Sequence, residues 1–139
     1  MILDASVVLK WVVNESDSPK ARVLAGRPDG AAPTILHVEA GYVLTKMVRQ
    51  RAISVSEARA AWIELSAANI RLVDDESLLR PALELSLRLS ANYYDCLYLA
   101  LAVVENDALV TADGRFARAV RAAPDLRDRI LTLAEATAV

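Results

Sequence analysis

The stretch Met1-Ile2-Leu3-Asp4-Ala5-Ser6-Val7-Val8-Leu9-Lys10-Trp11-Val12-Val13 changes its hydrophobic period partway along. Ile2 and Leu3 form an apolar stub that stops at Asp4, whereas Val7, Val8, Trp11 and Val12 recur at helical spacing, so the segment reads as a strand running into a helix. Downstream the same alternation repeats. Pro19 starts a short helix to about Ala25, and the turn cluster Gly26-Arg27-Pro28-Asp29-Gly30 leads into a brief strand, Ala31-Ala32-Pro33. Thr34 is expected to cap a long helix to about Arg51, with Leu36, Ala40, Val43, Leu44 and Met47 on one face. Ser54 and Glu57 form a capping box that opens a helix to about Ala68 and turns Ala58, Ala61, Trp62 and Leu65 inward. Ile70 to Val73 reads as a strand, Glu76 to Leu89 and Tyr94 to Glu105 as helices, and Ala108 to Thr111 as a strand leading to Asp113. Arg115 to Ala122 makes the last helix and Ile130 to Leu133 a fifth strand.

Strands alternating with helices imply βαβ units with right-handed crossovers. The expected architecture is an α/β fold in three layers, a short, mostly parallel sheet of about five strands flanked by helices. With 139 residues, 55% hydrophobic and 24% charged, the chain can enclose one substantial core, and 1–139 is expected to form a single domain. The longest apolar run, Cys96 to Val104, is about half of the roughly 20 residues a bilayer-spanning helix needs. Asp4 interrupts any signal-peptide core, so a cytoplasmic protein without a membrane partner is expected. A lone cysteine excludes an internal disulfide and a cysteine metal site, and a lone histidine, His37, excludes multi-histidine zinc. Net charge −2 excludes the global basic field that binds long duplex DNA, although a local nucleic-acid site stays open.

Acids are therefore the chemistry this chain has to work with. In parallel sheets ligands bind outside the carboxyl ends of the strands, where the strand order reverses. Asp4 ends the first strand and Asp113 follows the fourth, so both face one rim. Singly, Asp4, Asp95 and Asp113 each have a plain reading as helix caps or turn residues. Glu39 is harder to place, because it lies among Leu36, Val38, Ala40 and Val43 on a helix that buries one face, and an inward glutamate needs a partner. If the starts of two helices bring Glu39 and Asp95 to the same rim, four carboxylates converge. Like charges about 4 Å apart cost on the order of 4 kcal/mol at an effective dielectric near 20, so such a cluster needs protonation or a cation. Without histidine or thiolate ligands that cation should be hard, Mg²⁺ or Mn²⁺, and a carboxylate-held Mg²⁺ normally meets phosphate.

Four segments, Met1-Ile2-Leu3-Asp4-Ala5-Ser6, Pro33 to Glu39, Tyr94-Asp95-Cys96-Leu97-Tyr98-Leu99-Ala100-Leu101-Ala102 and Leu109-Val110-Thr111-Ala112-Asp113, match a known pattern in order and spacing. Over nearly the whole chain they resemble the PIN-domain ribonucleases, most closely the VapC-like toxins of bacterial type II toxin–antitoxin modules. Gly41-Tyr42 departs from relatives that often carry small and amide residues there, and Tyr42 is placed to narrow the site. The resemblance implies that Asp4, Glu39, Asp95 and Asp113 hold one or two Mg²⁺ and that an activated water cleaves single-stranded RNA, leaving a 5′-phosphate and a 3′-hydroxyl. Asp4, Asp95 and Asp113 are assigned to direct coordination, with Glu39 coordinating or holding a metal-bound water. Ser6 and Thr111 are near enough to orient these carboxylates, or are ordinary cap and strand residues. A homodimer and a separate antitoxin, whose C-terminal segment lies in an apolar groove and sends a basic side chain toward the acids, are likewise implied.

Among other residues, His37, Trp11 and Trp62 read as surface or packing residues rather than catalytic or base-stacking ones. Arg115 and Arg118, one turn apart after Asp113, are candidates for RNA phosphates, against a solvated helix face. The run Cys96 to Val104 is apolar all round, and with Leu83, Leu85, Leu87 and Leu89 it offers surface for self-association, against a reading as central core. A haloacid-dehalogenase-type phosphatase also begins with a strand and an Asp, but its second Asp falls where this chain has Ser6. A PIN module without catalysis, and a PIN nuclease of RNA maturation or decay, remain as rival functions.

Overall fold

A computed structural model describes residues 1–138. The chain runs β1 (Ile2–Leu3), α1 (Ala5–Val12), α2 (Ser18–Val23), β2 (Ala31–Pro33), α3 (Ile35–Arg49), α4 (Val55–Ser66), β3 (Arg71–Val73), α5 (Leu79–Leu89), α6 (Tyr93–Val104), β4 (Leu109–Thr111), α7 (Gly114–Arg121), β5 (Ile130–Thr132) and α8 (Leu133–Ala136). All pairings are parallel, in the order β3-β2-β1-β4-β5. The chain builds outward from β1 to β3, then returns to add β4 on the other side. The order thus reverses between β1 and β4, which pair Ile2 with Leu109 and Leu3 with Val110. Asp4 and Asp113 follow these two strands.

The strands are only two or three residues long, so helices supply most of the core. Cys96 through Ala102 are all buried, with α6 packed against β1, β2 and β4 and covered by α5. This corrects the reading of the run as surface for self-association. A strand of three residues covers too little of a helix, and α5 closes the side the sheet leaves open. Within that run only Val103 and Val104 reach the surface.

Several local expectations change under tertiary contact. Thr34 precedes α3 without a capping side-chain hydrogen bond, and the Ile35 amide instead donates to Asp75 Oδ1 at 3.0 Å, forty residues away. Trp62 does not point inward; it is 40% exposed and meets His37 edge to face, ring centroids 5.7 Å apart. Trp11 is buried, its indole N–H donating to Ala21 O at 2.7 Å. Glu76–Leu78 is a 3₁₀ turn, after which Pro81 sits in the first turn of α5, where its missing N–H has no intrahelical partner to lose. Leu133 opens α8 rather than ending β5, because Thr132 and Glu135 form a capping box. Among the described residues no helix is long and apolar enough to cross a membrane.

Candidate active site

Asp4 is the N-cap of α1, its Oδ1 accepting the Val7 amide at 3.2 Å and the Ser6 hydroxyl. The Ser6 Oγ also accepts the Ala112 amide at 3.1 Å, which ties the end of β1 to the end of β4. Thr111, fully buried, accepts the Asp113 amide at 3.0 Å. Burial raises the Asp4 pKa, outweighing the Ser6 and Thr111 hydroxyls and the Val7 amide that favour the carboxylate. Asp113 caps α7, its Oδ1 accepting the Arg115 and Phe116 amides at 3.0 and 3.1 Å, while the side chain stays exposed. The capping and rim readings of these acids are therefore both true. A cap uses one carboxylate oxygen and leaves the other for a ligand.

Asp95 reaches the rim through the α5–α6 corner. Ser90 ends α5 in the left-handed region (φ 51°) and lets the chain reverse within three residues. Asn92 then caps α6, its Oδ1 accepting the Tyr94 and Asp95 amides at 2.9 and 3.4 Å. Glu39 arrives from the second turn of α3, half-buried, and the Tyr98 hydroxyl donates to its Oε1 at 2.8 Å. That is the partner an inward glutamate requires. Burial chiefly, then the negative charges of Asp4, Glu39 and Asp113, push the Asp95 pKa up to about 7. Burial also raises Glu39, opposed by the Tyr98 hydroxyl and reinforced by Asp4 and Asp75. The Tyr98 hydroxyl, buried beside these acids, is held far above its usual pKa.

Among the described residues no lysine or arginine pairs with any of the four acids. Nor are three or more His, Cys, Asp or Glu side chains there already arranged to hold a metal ion. The donor chemistry nevertheless suits a hard divalent cation. All donors are oxygens, and the charge that raises Asp95 is what such an ion would neutralise.

Two clefts meet at Asn92 and Asp95. The larger, about 570 Å³, is lined by Ile35, Val38, Glu39, Tyr42, Val43, Asn92, Tyr94 and Asp95. The smaller, about 280 Å³, joins them to Ser90, Asp113, Arg115 and Phe116. Arg115 thus borders the acids, whereas Arg118 lies one turn further along, its guanidinium over Gly114. Asn92, Tyr94 and Tyr98 were not among the residues singled out from sequence. For Tyr98 the available signal was spacing, one turn from Asp95 on α6, and for Asn92 its place as a capping residue before that helix.

Among known proteins, the model of the PIN domain family matches residues 1–122. Ribonuclease VapC1 of Mycobacterium tuberculosis is 33% identical over 124 residues, covering 85% of this chain and 89% of that protein. PAE2754 from Pyrobaculum aerophilum superposes with a TM-score of 0.70 at 18% identity, over 95% of this chain and 82% of that one. VapBC2 from Rickettsia felis, solved with a DNA fragment of its promoter, gives 0.64 at 19% identity, over 94% and 96%. VapC20 of M. tuberculosis, described as a sarcin–ricin loop cleaving toxin, gives 0.63 at 19%, over 85% and 93%. These structures share the fold.

Proposed function

The chain belongs to the PIN-domain family, and from that premise we propose that it is a metal-dependent endoribonuclease that cuts single-stranded RNA in the cytoplasm, as the toxin of a type II toxin–antitoxin pair. The observation that carries this reading is that Asp4 and Asp113 end the paired strands at the strand-order switch while the adjoining clefts join Asp95 to Glu39 and to Asp113, with no lysine or arginine paired to any of the four among the described residues. The name of the 33%-identical relative supports ribonuclease chemistry. The toxin–antitoxin neighbours support an antitoxin partner.

Asp4, Asp95 and Asp113 would hold the ion, Mg²⁺ with Mn²⁺ as substitute. When bound, it supplies a water of lowered pKa and neutralises charge on the attacked phosphate. Ser6 and Thr111 orient the Asp4 carboxylate from behind and favour its ionised form against the burial that opposes it. Glu39, steadied by Tyr98, sits half-buried beside the acids, where a carboxylate orients a water and accepts its proton. Arg115 faces the phosphates beyond Asp113. The reaction is hydrolysis, with water adding to phosphorus as the 3′-oxygen departs protonated, which leaves a 5′-phosphate and a 3′-hydroxyl.

Purified chain, separated from any bound protein, should cut single-stranded RNA with Mg²⁺ or Mn²⁺ and stop on addition of EDTA. Cleavage that survives chelation overturns the mechanism.

A further inference from the structure

We propose that Tyr42 and Tyr94 form the walls of a nucleobase subsite beside the acid cluster, in which an unpaired base next to the scissile phosphate stacks. This rests on the ribonuclease reading above and names how that site holds its substrate. Both side chains line the 570 Å³ cleft that opens on Glu39 and Asp95, and a volume of about 300–1,000 Å³ is what drug-sized ligands fill. Both are more than half exposed, Tyr42 at 61% and Tyr94 at 53%, and Val38, one turn before Tyr42 on α3, is exposed in the same cleft.

Neither ring is held by the core, but each is braced locally. Tyr94 packs against Tyr93, ring centroids 6.3 Å apart, and the Tyr93 hydroxyl donates to Leu79 O at 3.2 Å. Tyr42 has Lys46 Nζ 6.0 Å from its ring centroid, one turn along α3. That ammonium makes no ion pair among the described residues, so its attraction is to the Tyr42 ring face alone. Asn92 uses its Oδ1 on the α6 cap, leaving its amide N–H donors at the cleft wall for a base edge. Ile35 and Val43 complete an apolar floor.

The occupant follows from charge. A chain of net charge −2 with four acids at its centre has little electrostatic hold on RNA. Stacking on aromatic faces does not depend on net charge, and each base so stacked contributes enough to change affinity by roughly 5- to 100-fold. A base in this cleft places its own phosphate at the rim shared by Asn92 and Asp95, between the two clefts, where the acids converge.

The test uses the intact chain and short single-stranded RNAs in which an abasic residue or 2-aminopurine replaces each nucleotide in turn. In the wild-type chain one position should show 2-aminopurine quenching before cleavage, and an abasic residue there should raise KM about tenfold or more. Tyr42→Ala and Tyr94→Ala should each raise KM similarly with kcat little changed, and the abasic substitution should then cost no more. Tyr42→Phe and Tyr94→Phe should restore wild-type KM. Alanine variants that cut RNA with wild-type KM overturn the subsite and leave the ribonuclease reading standing. The same holds if those variants lose only the binding of a protein partner, which would assign the cleft to that partner. A wild-type chain that neither cuts nor quenches overturns both.

Discussion

At the scale of single residues, Asp95 is the most informative group. Its pKa of about 7 compares with about 4 in an unfolded chain, so between those values the folded state holds the extra proton. Stability without metal therefore falls as pH rises from about 4 to 7, and Asp4 and Glu39, also raised, act in the same direction. Metal-free protein should melt a few degrees higher at pH 5.5 than at pH 7.5, and Asp95→Asn should flatten that difference. The same variant, and Asp4→Asn, should lower RNA cleavage by orders of magnitude while leaving the fold intact. Near wild-type cleavage by both would return these acids to simple caps. Tyr98→Phe keeps the buried ring but removes the hydroxyl that lowers the Glu39 pKa. The acid limb of the pH–rate profile should then move to higher pH, a change that loss of packing alone would not produce.

At the scale of elements, helix starts position the site. Capping places Asp4 and Asp113 by backbone geometry rather than by long side chains, so the carboxylates sit on α1 and α7 with little conformational freedom. Asp75 does the same for α3 from a different segment, capping Ile35 and so fixing the helix that carries Glu39 and Tyr42. Asp75→Ala should cost about 1 kcal/mol in chemical denaturation and lower activity by loosening the start of α3, while removing one of the charges that raise the Glu39 pKa. On α7 the two arginines are no longer equivalent. Arg115→Ala should weaken RNA binding for all sequences alike and make its salt dependence shallower, with Arg118→Ala doing less. Equal and negligible effects would leave both as a solvated face.

At the scale of the molecule, the unpartnered apolar surface has moved away from the α6 run. Exposed Leu79, Leu83 and Leu87 on α5 and Val103 and Val104 at the end of α6 remain, with a second apolar stretch of Val55, Trp62 and Ile63 along α4. A homodimer is expected to cover part of this surface, and light scattering should return twice the mass of one chain. Leu83→Glu with Leu87→Glu should shift that mass to the monomer if α5 is the contact. Co-expression with the product of an adjacent reading frame should suppress RNA cleavage. A monomer unaffected by any neighbouring product would remove the toxin role and leave the nuclease in place.

The β-α alternation, the Ser54–Glu57 box and the positions of Asp4, Asp95 and Asp113 at strand and helix ends were legible in the sequence because each is set by neighbours three or four residues away, where periodicity and capping act. Those local signals were enough to predict a parallel sheet with Asp4 and Asp113 at one rim. They could not supply contacts that join distant segments. The Tyr98 hydroxyl reaches Glu39 across 59 residues, Asp75 caps a helix 40 residues earlier, and Ser6 ties α1 to the Ala112 amide 106 residues on. The direction of Trp62 and the complete burial of Cys96 to Ala102 were likewise decided by what packs against them. An apolar residue carries the same pattern whether its face meets a sheet, another helix or a second molecule, and only the tertiary structure selects among these.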